Sequence, residues 1–170
     1  MKLSELMAGY TPSAEFEGWV TNDDFVLAID LTPTAEMATE PDDYGVVQIG
    51  IEGLDAQMNP VTVDKQYLRA GQSSTRTGNQ RTFKATGDRY IGDEVQDYIF
   101  SHAIKYGVGQ AVITNYVYFN LLNGKGEKGQ VSIIINSDGS GNSGENAGID
   151  VDFKKVGNMP TEYTYTAGGE

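Results

Sequence analysis

The sequence predicts a mainly β protein: a β-sandwich or small barrel with one flanking α-helix and one long polar inter-strand loop. Three observations carry this expectation. Apolar residues alternate with a period of two in several separate segments, 21 glycines among 170 residues punctuate those segments, and only one stretch combines helical apolar spacing with end signals. About seven or eight strands are expected, enough for a sandwich or barrel. The length suits one domain over residues 1–170, able to bury roughly 70% of its unfolded surface without staples.

In the first third, the run Asp24 to Leu31 places Phe25, Leu27, Ile29 and Leu31 on one face, and Val47, Ile49 and Ile51 repeat the pattern. Residues 1–43 therefore read as an acidic N-terminal arm that holds strands and not a helix. The segments PVTVDKQYLR (60–69) and RTFKATGDRY (81–90) are strand-like, and between them AGQSSTRTGNQRT (70–82) carries no large apolar residue. That stretch reads as a long polar hairpin or loop, of a length that compact domains reserve for function or leave disordered. Over 93–106 a helix is expected, with Asp93 as N-cap, Gln96 at capping-box spacing and Gly107 as a left-handed stop. Val95, Ile99, Phe100, Ala103 and Ile104 form its apolar stripe. The C-terminal strands occupy 111–157. AVITNYVYFNLL (111–122) is apolar on both faces, and Val131, Ile133 and Ile135 alternate in the next strand. In the last, Ile149, Val151 and Phe153 face one way while Asp150, Asp152 and Lys154 face the other.

Charge and composition exclude several functions. The chain holds 12 basic against 24 acidic residues, a net charge of -12, which repels a polyanion instead of gripping its phosphates. It has no cysteine, so disulfides, zinc-thiolate sites and cysteine nucleophiles are ruled out. After Met1-Lys2 the chain reads LSELMAGYTPS, which lacks the apolar core of a classical export signal, and nowhere do about eighteen apolar residues run together to span a bilayer. The charge is unevenly spread: residues 1–60 hold twelve acids and only Lys2, residues 61–110 are net +2, and residues 111–170 are net -3. Such asymmetry either orients copies of one chain against each other or reflects solvated surfaces.

Several motifs invite a catalytic or ligand-binding reading and fail on context. Gly139 to Gly144 satisfies GxGxxG after a strand, but the chain resumes as the strand GIDVDF where a dinucleotide site requires a helix. Gly124 to Gly129 matches the same pattern, and both are read as hairpin connections. Asp138, Ser140 and Asn142 begin like a calcium loop, yet Ser143 replaces the turn glycine and Ile149 the bidentate Glu; a weaker oxygen site from Asp138 and Asp150 competes with a solvated turn. His102, the only histidine, lacks a neighbouring nucleophile motif. The pairs Asp93/Asp97 and Asp150/Asp152 have spacings common on surfaces. No catalytic residue, cofactor or metal is therefore assigned, and no enzyme activity is expected. The tyrosines and phenylalanines are assigned to core or subunit interface in preference to a carbohydrate platform.

The run from Arg69 to Ile99 (RAGQSSTRTGNQRTFKATGDRYIGDEVQDYI) resembles the centre of major tail (tail tube) proteins of long-tailed bacteriophages. A polar, basic loop returns into a strand, reaches a Gly-Asp turn and enters a short amphipathic helix; a Gly-rich hairpin and a closing strand ending in Phe153-Lys154-Lys155-Val156-Gly157 follow. The resemblance spans about Tyr44 to Gly157, and residues 1–43 match less clearly. It implies a virion structural protein whose copies form hexameric rings, stacked into a tube that conducts DNA. It also implies assembly in the host cytoplasm, and tail-tip, tape-measure and tail-terminator proteins as partners. The family's long loop reaches an adjacent ring, which makes Arg69, Arg76, Arg81 and Lys84 candidate inter-ring contacts. Asp150 and Asp152 are candidates for a lumen wall that lets DNA pass without binding it. The alternatives are the inner tube of a contractile tail or injection machine, and a monomeric β-sandwich carbohydrate-binding or adhesion module.

Overall fold

The structure, a computed structural model, describes residues 1–33 and 40–167; part of the expected N-terminal arm, residues 34–39, lies outside them. Among the described residues there are nine strands. β1 is Phe25–Ile29, β2 Gly45–Val46, β3 Ile51–Gln57, β4 Pro60–Tyr67, β5 Gly71–Asn79, β6 Thr82–Asp88, β7 Ile113–Asn120, β8 Lys125–Ser140 and β9 Gly148–Thr164. Three short α-helices accompany them: α1 Leu3–Leu6, α2 Glu94–Ile99 and α3 His102–Tyr106. The first third thus holds strands as expected, preceded by one helical turn.

Seven strands form one sheet in the order β2-β1-β7-β8-β9-β6-β3, every neighbouring pair antiparallel, and β4 and β5 form a separate two-stranded ribbon. β8 and β9 are the spine. β7 flanks β8 only up to the pair Ile113/Ser132, whereas β6 flanks β9 from Lys154 to Gly148. The sheet is therefore staggered, and it curls into a barrel-like shape. Phe83 of β6 lies 4.8 Å from Tyr118 of β7 although two strands separate them in the sheet. Where the ring of strands would close, the Asn22 side-chain amide, just before β1, donates to the Leu54 carbonyl of β3 at 3.1 Å.

The inner face is filled by alternate residues of these strands: Leu27, Ile29, Phe83, Ala85, Tyr116, Val131, Ile133, Val151 and Phe153. Val95, Ile99 and Ile104 of α2 and α3 pack onto it. Phe83 and Phe153 are fully buried and pair directly across β6 and β9; burying each contributes roughly 1.5–3 kcal/mol. The outer face of β1 and β7 is covered separately, with Val26, Ala28, Val117 and Phe119 lying under Leu3 and Met7 near the N-terminus and under Tyr165. This second cluster explains why 111–122 is apolar on both sides.

Four expectations need correction. The helix expected over 93–106 is two helices, because Ser101 adopts an extended conformation (φ -62, ψ 152) that breaks the hydrogen-bond ladder. Gly107 is not left-handed (φ -71); its smallness matters instead, because a Cβ there would meet the Ala103 carbonyl oxygen at 2.2 Å. Val47, Ile49 and Ile51 do not share a strand, since β2 ends at Val46 and the chain turns at Gly50 (φ +73) before β3. Most of the polar stretch 70–82 is strand β5, and the turn of its hairpin sits earlier, at Leu68 to Ala70, with Arg69 left-handed (φ 64).

Candidate assembly surface

The β4–β5 ribbon is the least explained part of the chain when it is viewed alone. Every residue of β4 is exposed, and so is every residue of β5 except Gly71. The register pairs Val63 with Thr75, Lys65 with Ser73 and Tyr67 with Gly71, which puts Val63, Lys65 and Tyr67 on one face. Thr62 opposite Arg76, Asp64 opposite Ser74 and Gln66 opposite Gln72 lie on the other. One face is therefore partly apolar and the other fully polar, and at the tip Leu68 is 87% exposed. A two-stranded ribbon with no covered face is marginal in water, so this one calls for a partner surface. The sequence draws attention to the polar strand; Val61, Val63 and Tyr67 of its neighbour carry an even spacing that marks a partly apolar face, whereas Leu68 in the turn carries no such signal.

The base of the ribbon is fastened firmly. The Asn59 side-chain amide donates to the Gln80 carbonyl and the Gln80 backbone N–H donates to the Asn59 carbonyl, both at 3.2 Å. The Gln80 side chain reaches the Lys155 carbonyl of β9 at 3.1 Å. Arg81 completes the clamp: its Nε donates to Glu127 Oε1 at 2.6 Å and its guanidinium lies over the Phe83 ring at 4.6 Å and near Tyr118 at 5.4 Å.

The four candidate contact residues thus separate. Arg69 and Arg76 stand on the ribbon, exposed and without an ion-pair partner among the described residues. Arg81 is only 14% exposed and is committed within its own chain. Lys84 lies on β6, 3.3 Å from Asp150 Oδ2 on β9. Asp150 and Asp152 do face away from Val151 and Phe153, as the alternation requires, and both are half-buried. Asn136 donates to Asp150 at 3.4 Å, while Asp152 Oδ1 is buried without a hydrogen-bond partner among the described residues.

At the other end of β6, the turn Arg89 to Gly92 leads into α2. Asp93 caps the helix as expected, its carboxylate accepting from the Gln96 N–H at 3.1 Å. The Gln96 side chain does not reach back to the cap. It is buried as a hub, accepting from the Tyr90 N–H and from Arg89 and donating to the carbonyls of Ile49 and Asp88. Arg89 also pairs with Asp97 at 2.8 Å, which holds that carboxyl below its ordinary pKa. The turn itself is apolar and uncovered, with Ile91 83% exposed. Trp19, in the N-terminal segment, is 99% exposed. Neither was singled out from sequence.

The remaining motifs find ordinary places. Gly139 to Gly144 ends β8 and begins the turn to β9, and Gly124 lies in the turn before β8. Asp138 is ion-paired with Lys105, which lowers its pKa, and no group of three or more metal-ligating side chains occurs among the described residues. His102 rests against Tyr106 on α3 at a ring distance of 4.9 Å.

No protein-family model and no curated protein sequence matches the chain. Solved structures do. A chain from the tail of an empty gene transfer agent particle, determined by helical refinement with C6 symmetry, superposes with a TM-score of 0.56 at 14% identity. The match covers 86% of this chain and 100% of that one. A chain from the virion of the native gene transfer agent particle gives a TM-score of 0.51 at 14% identity, over 87% of this chain and 100% of that one. This protein therefore shares the fold of subunits found in phage-like tail and virion particles.

Proposed function

We propose that this protein is a structural virion subunit whose copies close into hexameric rings and stack into a tail tube, a conduit for DNA delivery. The observation that carries the reading is the β4–β5 ribbon, uncovered on both faces yet fastened at its base, on a fold shared with a tail of C6 symmetry. A ribbon held in one direction at no benefit to its own subunit is suited to reach another copy. The outer edge of β3, which no strand pairs among the described residues, fits the same reading, because closure into a ring hides unpaired strand edges. In the assembled tail, Arg69 and Arg76 contact the adjacent ring and the face bearing Asp150 and Asp152 lines the lumen, where carboxylates repel passing phosphate. Assembly takes place in the host cytoplasm, with tail-tip, tape-measure and terminator proteins as partners at the ends of the tube.

The test is negative-stain microscopy of the purified protein, alone and with its tail-tip initiator. Rings or tubes of uniform diameter are expected. Monomers alone, across salt conditions and with initiator present, refute the reading.

A further inference from the structure

Resting on the tube reading, the geometry points to the surface that receives the ribbon: we propose that the tip of β4–β5 docks onto the Tyr90-Ile91 turn of a second copy. Three observations support it. First, ribbon and turn sit at opposite ends of one strand pair. The ribbon leaves β3 at Gln57 and returns to β6 at Thr82, whereas the turn follows β6 at Asp88. The seven residues of β6 put them about 23 Å apart, and the eight of β4 let the ribbon project a further 26 Å or so. Two different surfaces, rooted at opposite ends of one strand pair, make a heterologous contact that can repeat without closing, as stacking demands.

Second, both surfaces are apolar and uncovered. Leu68 and Tyr67 at the tip meet Tyr90 and Ile91 at the turn, and all four are more than half exposed. Third, the charges are complementary. Lys65, Arg69 and Arg76 of the ribbon have no ion-pair partner among the described residues, and neither have Glu52 and Glu94, which flank the turn from β3 and α2. The turn between them is held rigidly, because Gln96 ties the Tyr90 backbone to Ile49 and Asp88. The rival receptor is Trp19, exposed among Glu15, Glu17 and Asp23.

The absence of cysteine makes a direct test clean. Full-length chains carrying both Leu68→Cys and Ile91→Cys are assembled, oxidised with copper phenanthroline and run on a non-reducing gel. A ladder of covalent multimers is expected, because each copy donates one thiol at either end. Each single variant alone gives no species beyond a dimer. A chain carrying Leu68→Cys with Trp19→Cys is the comparison: a ladder there, and none from Leu68→Cys with Ile91→Cys on normal tubes, overturns the proposal in favour of the N-terminal segment. Separately, Ile91→Asp is expected to leave thermal unfolding unchanged and shorten tubes at least tenfold; tubes of wild-type length overturn the proposal. Wild-type chains that never form tubes refute the tube reading itself, which is a different result from normal tubes that ignore the variants.

Discussion

Replacing Arg81 by alanine should destabilise the subunit, although the residue belongs to a basic, polar stretch that reads as an intermolecular loop. The guanidinium makes a hydrogen-bonded ion pair with Glu127 at 2.6 Å and stacks over Phe83 at 4.6 Å. A hydrogen bond to a charged group contributes about 1.5–3 kcal/mol and a partly desolvated cation–π contact about 1 kcal/mol. Glu127 is 26% exposed and regains water when its partner is lost, so the net cost lies near the lower end, about 2–3 kcal/mol. In a chain of this size that lowers Tm by about 5–10 °C. The assay is urea and thermal unfolding by circular dichroism at concentrations where the subunit is monomeric. Arg76→Ala serves as the comparison and should stay within about 0.5 kcal/mol of wild type, because Arg76 is exposed and unpaired. A double-mutant cycle with Glu127→Gln should return a coupling of about 1–2 kcal/mol. Equal stability of Arg81→Ala and Arg76→Ala would refute the clamp and return Arg81 to the pool of intermolecular contacts.

Two further outcomes follow from buried polar groups. Gln96→Leu leaves the Tyr90 N–H and the carbonyls of Ile49 and Asp88 without their partner, and should cost about 2–4 kcal/mol in urea unfolding; a change below about 0.5 kcal/mol would show that water replaces the amide. Burial pushes the hydroxyls of Tyr44 and Tyr163 from the ordinary 10.0 up to about 12, so the stability tied to their neutral forms is intact below pH 10 and lost as pH rises through 12. Phenolate absorbance should therefore rise in two stages, the second coincident with loss of circular dichroism and moved to higher pH by Tyr44→Phe; a single stage near pH 10 with the fold intact contradicts this.

How far the sequence could be read depended on whether an element has one dry face. Val131 and Ile133, and Val151 and Phe153, alternate because one side of β8 and β9 is core, and the same periodicity correctly turned Asp150 and Asp152 away from it. β5 carries no such signal, since water bathes both of its faces, and so it reads as a loop. The start of the helical region was legible because Asp93 caps locally, whereas the break at Ser101 lies inside an apolar stripe, Val95 to Ile104, that runs on through it in the sequence. Arg81 shows a different limit. Phe83 lies two residues on, but Tyr118 and Glu127 come from β7 and β8, brought to Arg81 only by the curl, and nothing near position 81 announces them. Ile91 and Leu68 sit in turns, where an apolar letter says nothing until the turn is seen to be uncovered.

On the proposed tube reading, the composition that disguises β5 has a second use: a protein made in many copies before it assembles must carry its ribbon through a crowded solution without seeding fibres. Segments that do so combine strong β-propensity, apolar side chains and low charge. GQSSTRTGN offers an outer edge of hydroxyls, amides, glycines and one arginine, and the register shift between Val61 and Thr62 interrupts the regular ladder that an incoming strand would copy. The ribbon's apolar side chains lie on the opposite strand, β4, where a shaped receptor can use them. On that reading, patience before assembly and adhesion during it are divided between the two strands of one hairpin.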